Sequence, residues 1–338
     1  MTHGDGTPDV VSGTLSLEDE ALTRRLNAAM AQTEQLLEQK ISEGDEIVTD
    51  KVLHLARAGG KRFRPMFALL ASEYGPQPMN PDVIKAAVIV EMTHLATLYH
   101  DDVMDEAQRR RGVESANARW GNSVAILAGD HLLAQTSGLM ADLGVDTVRH
   151  FSETFGELVT GQMRETVGPR GGDPIEHYTQ VIREKTGVLI ASAGYLGGLH
   201  GGATSAEIAA LYGYGRAIGM VFQIVDDIID VFSTPDQSGK QRGTDLREGV
   251  FTLPVLYALA EEGTIADRLR ELLTGPISED AELAEALDLL GRSGGRERAL
   301  VDVRGYVDEA LACLEGLPDG PVTSALAKLA TFTARRVG

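Results

Sequence analysis

PDVIKAAVIVEMTHLATLYHDDVMD, residues 81–105, runs almost wholly apolar from Ile84 to Tyr99 and then delivers three aspartates, Asp101, Asp102 and Asp105. Its apolar residues recur at three- and four-residue steps, which predicts a helix over Pro81 to Met104. On a helix, positions i and i+4 share a face, so Asp101 and Asp105 point together with Asp102 about 100° round the axis. A second stretch repeats the device: Ala217 to Val225 is apolar and leads into Asp226, Asp227 and Asp230. A lone D-D-x-x-D is usually a solvated acidic face, but such a face is not expected at the end of an apolar run, still less twice.

Three carboxylates on one stripe repel each other and disfavour the helix unless a cation binds. Mg²⁺ suits such a stripe, because it takes oxygen ligands and is commonly held by one or two carboxylates plus substrate phosphates. Two facing stripes would then grip one diphosphate through shared metals. Basic residues gather in three places: Lys61, Arg62 and Arg64; Arg109 to Arg111; and Lys240 with Arg242.

Composition narrows the classes. The 338 residues carry a net charge of −19, which argues against nucleic acid as a partner. Bulk charge of that sign also repels a diphosphate, and bound cations answer this locally. A 43% hydrophobic content is ample for a core. No run of 18 uncharged apolar residues occurs, so no membrane-spanning helix is expected. The single cysteine, Cys313, excludes an internal disulfide framework and fits a reducing, cytoplasmic compartment; it lies in a helical Ala/Leu pattern and reads as packed. Residues 1–16 are rich in Gly, Thr, Ser and Asp and read as a disordered tail.

Helical periodicity continues through Glu18–Gln39, Val124–Leu143, Val145–Val167, Ile175–Leu199, Ser205–Val231, Leu253–Glu262, Ala266–Leu273, Glu279–Leu290, Arg296–Leu314 and Val322–Arg335. Alternating strand patterns are essentially absent, and breaks fall at Gly and Pro clusters. Long helices joined by short breaks, with no recurring period, predict an all-α fold: one domain over 17–338, a bundle of long antiparallel helices around a central substrate cavity. Glycine is frequent inside the predicted helices, at Gly187, Gly194, Gly197, Gly198, Gly213, Gly215 and Gly219. There it provides close helix packing, room for a substrate tail, or both.

Taken in order, Gly59-Gly60-Lys61-Arg62-Phe63-Arg64-Pro65, His94 through the first acidic cluster to Arg110-Arg111-Gly112, Gly161-Gln162, Lys185-Thr186, Gln223 with the second cluster, and Gly239-Lys240 through Asp245-Leu246 to Gly249 resemble the trans-type polyprenyl diphosphate synthases. The stretch His94 to Asp105 and Thr252-Leu253-Pro254 look most like actinobacterial long-chain members of the menaquinone type. The resemblance implies the isoprenoid synthase fold, usually a homodimer, and head-to-tail addition of isopentenyl diphosphate to an allylic diphosphate such as farnesyl or geranylgeranyl diphosphate. It implies three Mg²⁺ ions on Asp101, Asp105 and Asp226, with Asp102, Asp227 and Asp230 as partial or water-mediated ligands. Arg110, Lys185 and Lys240 would clamp the leaving pyrophosphate. Gly60, Lys61, Arg64, His94 and Arg111 would take isopentenyl diphosphate without a metal, a task that suits the planar donor fork of arginine. Thr186 and Gln223 would stabilise the allylic cation. The departing pyrophosphate itself is thought to take the proton in this family, so no protein base is assigned, and His100 reads as a packed histidine. Val250 stands where many relatives carry lysine, and is not counted as a diphosphate contact.

Product length is argued from the helix before Asp101. Going back from the metals, Thr97 and Ala96, then Thr93, line the face that a growing chain would follow; an isoprene unit is about one helical turn long. Short-chain relatives place an aromatic residue four or five positions before the first aspartate, whereas Ala96 and Thr97 leave the path open. The expected product has about six to ten isoprene units. A short-chain farnesyl or geranylgeranyl diphosphate synthase is the alternative. A terpene cyclase would not need the Lys61/Arg64 site, and a non-catalytic partner subunit would lack one acidic cluster. A long lipid product also suggests transient membrane proximity.

Overall fold

The computed structural model describes residues 19–43, 46–233 and 242–337; the expected N-terminal tail and Lys240 lie outside the described residues. Among the described residues, sixteen α-helices run in chain order: α1 Glu20–Ile41, α2 Glu46–Arg57, α3 Phe63–Ala71, α4 Pro81–Met104, α5 Ala116–Trp120, α6 Asn122–Leu143, α7 Val145–Val167, α8 Pro174–Ile182, α9 Val188–Gly201, α10 Ser205–Phe232, α11 Thr244–Glu248, α12 Leu253–Leu259, α13 Thr264–Leu272, α14 Asp280–Arg292, α15 Gly295–Leu314 and α16 Pro321–Arg335. Among the described residues, the strands are two of two residues each, β1 Arg109–Arg110 and β2 Val113–Glu114, paired antiparallel. The fold is all-α, as the periodicity predicts. The periodicity does not single out α2, and α3, α5 and α11, of nine residues or fewer, carry little periodic signal of their own. The predicted helix Ile175–Leu199 is interrupted by a five-residue π-helical turn at Arg183–Gly187.

The chain packs as two compact units. The first takes in the described residues up to Phe155, with Leu189–Tyr212 and Glu315–Leu326. Its centre is α4, capped by Asn80, whose side chain accepts from the amides of Asp82 at 2.8 Å and Val83 at 3.2 Å. Buried residues occur all around α4, including Ile89, Val90, Met92, Leu95 and Tyr99. A helix apolar on every side belongs at the middle of a unit, and α1, α3 and α6 pack against it. The helix α9 lies on α3 through glycines: a Cβ at Gly197 would sit 2.0 Å from the carbonyl oxygen of Ala68, and one at Gly194 2.9 Å from Phe67. Close packing therefore accounts for these two glycines, and it seats α3, which carries Arg64.

The second unit comprises Gly156–Val188, Gly213–Leu314 and the described residues from Ala327 onward. One of its cores joins Val231, Leu246, Val255, Ala258, Leu269, Ile277 and Leu290. Cys313 is half-buried on α15, and a Cβ at Gly213 would come within 2.9 Å of its Sγ. By length and composition α10 is apolar enough to cross a membrane, contrary to the sequence expectation; 56% of its most apolar window is buried inside the protein.

Candidate active site: two carboxylate helix ends and an arginine cluster

Each aspartate triad closes a helix. Asp101 and Asp102 occupy the last turn of α4 and Asp105 is its C-cap; Asp226, Asp227 and Asp230 fall in the last two turns of α10. The C-terminal end of a helix carries about half a negative charge from its unpaired carbonyls. Three carboxylates there compound the repulsion, which a cation relieves.

Within each triad the three side chains differ. Asp102 is fully buried and accepts from Nε of Arg110 at 2.6 Å, while its Oδ2 is buried without a hydrogen-bond partner. Burial raises its pKa and Arg110 pulls it back. Asp101 is half-buried and Asp105 exposed. Asp226 is exposed and pairs with Arg336 at 3.3 Å. Asp230 accepts from the amides of Thr244 at 3.2 Å and Asp245 at 3.3 Å, so it also caps α11. Asp227 is buried, and both its oxygens are engaged: Oδ2 accepts from the Tyr178 hydroxyl at 2.5 Å and Oδ1 from Nε2 of Gln223 at 3.0 Å. Burial lifts its carboxyl to about 7.

Among the described residues, no group of three or more His, Cys, Asp or Glu side chains is gathered closely enough to hold an ion unaided. The donor set is nevertheless right for a hard cation. It offers only oxygens, at negative helix ends, and such ions complete their shell with water and phosphate oxygens. The partnerless Oδ2 of Asp102 is a further acceptor of that kind.

The basic residues of the first unit converge because of backbone conformations that the periodicity does not reveal. Between β1 and β2, Arg111 and Gly112 both have positive φ, 51° and 80°. That is the signature of a tight two-residue hairpin turn, and it costs a non-glycine residue about 1–2 kcal/mol. The turn sends the Arg111 guanidinium to the carbonyls of Leu55, at 3.1 Å, and Gly59. Gly60, with φ +149°, lies so close that an added Cβ would stand 3.0 Å from Cζ of Arg111. Arg62, also at positive φ, pins this loop to Glu34 at 2.6 Å, to Glu91 at 2.8 Å and to the carbonyl of Ala56 at 2.9 Å.

Glu91 is a member of this cluster that the motif reading missed. It is 2% exposed, in the middle of α4, and its carboxylate also lies 3.9 Å from Arg111. One buried anion thus serves a group of arginines. Arg64 contributes a buried Nε with no hydrogen-bond partner, and burial lowers its guanidinium to about 10. Burial, followed by Arg64, Arg111, Arg62 and Arg110, holds His94 well below the usual histidine range, so it is neutral at pH 7. Lys61 is exposed at the same loop. Buried and partly buried cations with an unsatisfied N–H have the chemistry to accept an anion without a metal.

In the second unit the π-helical turn displays Lys185 and Thr186. Such a turn inside a helical run often marks a functional site. It is held on α7: a Cβ at Gly161 would meet the Glu184 Cβ and the Lys185 amide at 2.8 Å, which explains the glycine of the Gly161-Gln162 motif. Arg164 grips Glu184 at 2.9 Å, and Lys185 reaches Glu165 at 2.6 Å. Thr186 donates to Oε1 of Gln223 at 3.1 Å. Tyr178 is the second residue the motifs missed, since nothing in the sequence ties it to Asp227.

Along α4, Ala96 and Thr93 are fully buried and Thr97 half-buried. The hydroxyls of Thr93 and Thr97 are spent on the helix's own carbonyls, Ile89 at 2.7 Å and His94 at 2.9 Å. Their hydroxyl protons are therefore committed within the helix. His100 is packed on α6, its Nε2 3.2 Å from the Ile126 carbonyl and its ring filling the space beside Gly129. Val250 is exposed and takes no polar role beyond its amide, which donates to Asp245.

The sequence from 45 to 290 matches the family model for polyprenyl synthetase. The chain belongs to the polyprenyl synthetase family. It is a prenyltransferase with the all-α isoprenoid synthase fold. It is 52% identical to the nonaprenyl diphosphate synthase of Mycobacterium tuberculosis, over 98% of this chain and 99% of that protein. A crystal structure of geranylgeranyl pyrophosphate synthase from Corynebacterium glutamicum, complexed with calcium and isoprenyl diphosphate, superposes with a TM-score of 0.88 at 63% identity, covering 96% of this chain and 99% of that one. A decaprenyl diphosphate synthase from Rhodobacter capsulatus gives 0.85 at 32% identity, covering 94% and 99%. The matched span contains every motif residue described above.

Proposed function

We propose that this polyprenyl synthetase is a long-chain enzyme that adds isopentenyl diphosphate units head-to-tail to an allylic diphosphate such as farnesyl or geranylgeranyl diphosphate. The observation that carries the reading is the presence of two distinct phosphate-handling devices in one chain: carboxylate triads at negative helix ends, and a metal-free arginine cluster with the partnerless Nε of Arg64. A diphosphate that must leave is served by the first, one that must stay attached by the second.

Asp101, Asp105 and Asp226, the more open members of the triads, would hold divalent ions, which we take to be Mg²⁺ and three in number. Bound there, the ions would supply Lewis-acid neutralisation of the allylic diphosphate oxygens. Arg110, Lys185 and Lys240 bind the same diphosphate and balance the charge left on pyrophosphate as the C–O bond breaks. Thr186 and Gln223 offer oxygens to the allylic carbon. Lys61, Arg64 and Arg111, seated by Gly60 and with neutral His94, hold isopentenyl diphosphate; pyrophosphate then takes the proton that the new tertiary cation must lose.

The small side chains of Ala96, Thr93 and Thr97 support a long product, and a menaquinone side chain is the destination suggested by the sequence resemblance. The C. glutamicum structure favours a second reading, in which elongation stops at geranylgeranyl diphosphate. Incubation with labelled isopentenyl diphosphate, Mg²⁺ and dimethylallyl, farnesyl or geranylgeranyl diphosphate, followed by product sizing, decides between them. We expect chains of about six to ten units by the helical-turn estimate; a product that stops at four units overturns the long-chain reading. Ala96→Phe is expected to shorten the main product by two or more units. Because Ala96 is fully buried, overpacking of about 1–3 kcal/mol accompanies the change and is read from a thermal melt.

We further propose a homodimer. On α7, the exposed Val145, Val148, Val159, Met163 and Val167 fall on one stripe at 100° per residue, and Ile126 and Leu127 of α6 are also exposed. We place the enzyme in the cytoplasm, with transient approach to a membrane when its lipid product is released; the lone, half-buried Cys313 suits that compartment.

A further inference from the structure

Four side chains of the second unit form one hydrogen-bonded chain: Tyr178 to Asp227 at 2.5 Å, Gln223 to Asp227 at 3.0 Å, and Thr186 to Gln223 at 3.1 Å. The chemistry of the groups dictates its direction. Both Asp227 oxygens already accept, one from the Tyr178 hydroxyl and one from Nε2 of Gln223, so Gln223 turns its NH₂ toward Asp227. The amide carbonyl then faces Thr186 and can only accept, so the threonine proton is committed to it. What Thr186 has left to offer any further partner is a pair of oxygen lone pairs and no hydrogen.

This polarity matters only if Asp227 is fixed. Its Oδ2 would be free to turn were it not for the Tyr178 hydroxyl, and Tyr178 is held in α8, one turn before the π-helical segment that carries Thr186. The π-turn is itself anchored by Gln180 to Glu184 at 2.6 Å and by Arg164 to Glu184. Both ends of the chain are therefore rigidly mounted, which is what a preorganised dipole requires.

We propose that Tyr178 is a positioning residue for the allylic cation: through Asp227 and Gln223 it orients the Thr186 hydroxyl so that its lone pairs, not its proton, meet developing positive charge. This rests on the prenyl-transfer reading above. A double-mutant cycle tests it, with kcat and both KM values measured for wild type, Tyr178→Phe, Thr186→Val and the double variant. Tyr178→Phe is expected to lower kcat about 10-fold with both KM values within about twofold, and Thr186→Val about 100-fold. The double variant should be no slower than Thr186→Val alone, because residues acting as one unit are non-additive. Multiplying effects, or an unchanged kcat in Tyr178→Phe, would overturn the proposal. Should Tyr178→Phe fail to fold, Tyr178→Met, which also removes the hydroxyl, replaces it in the same cycle with the same two outcomes. A wild-type protein that transfers no prenyl group refutes the proposed function instead, and pyrophosphate release from the allylic substrate alone separates that failure from this one.

Discussion

Asp226→Asn and, separately, Asp101→Asn each lower kcat/KM by at least about 1,000-fold, the scale expected when charge stabilisation of a leaving group is lost, while neither protein melts below wild type. The two halves of this result have one cause. Both aspartates stand among like charges, and Asp101 also lies in the last turn of its helix, so neutralising either removes repulsion worth about 0.3–1 kcal/mol. Asp226 gives up a half-exposed pair with Arg336 in exchange, and such pairs contribute at most about 1 kcal/mol. A residue retained against the stability of its own helix marks function. Parallel thermal melts and initial rates check the prediction; equal losses of activity and stability would mean that the triads are structural.

The second large effect belongs to Glu91. Glu91→Gln is expected to raise KM for isopentenyl diphosphate about 10- to 100-fold while KM for the allylic substrate moves little. Its carboxylate is buried and pairs with Arg62 at 2.8 Å, and removing one partner of a buried ion pair costs about 3–5 kcal/mol. Without that anion the Arg62 guanidinium loses one of its anchors, the loop through Gly59 and Gly60 loosens, and Arg111 no longer stands where Gly60 seats it. Initial rates with each substrate varied in turn provide the check, together with a melt that should fall by several degrees. An allylic KM that rises as much as the isopentenyl one would show that Glu91 supports the whole unit and not the arginine cluster.

Much of this was legible in the residues. Apolar periodicity located α4, α6, α7 and α10, because each buries a wide face and must repeat at the helical period. The aspartate triads stood out for the same reason, as charge at the end of an apolar run. What escaped was conformation that no period encodes. Arg111 adopts a positive φ in a hairpin of two-residue strands, and the π-turn at 183–187 hides inside what reads as one continuous helix. Glu91 did leave a trace, as the lone carboxylate between Ile84 and Tyr99; it becomes meaningful only once Arg62 and Arg111 are seen around it. Tyr178 left none, since a tyrosine in an amphipathic segment is ordinary until its partner Asp227 is known.

Calorimetric binding of an unreactive allylic thiodiphosphate, with and without Mg²⁺, measures the ground on which all of this stands. Binding is expected only with the metal, and weaker by at least about 100-fold, or about 2.7 kcal/mol, in Asp101→Asn and in Asp226→Asn alike. Tight binding without Mg²⁺, or a loss confined to one of the two variants, would show that the two triads do not hold the diphosphate through shared metals.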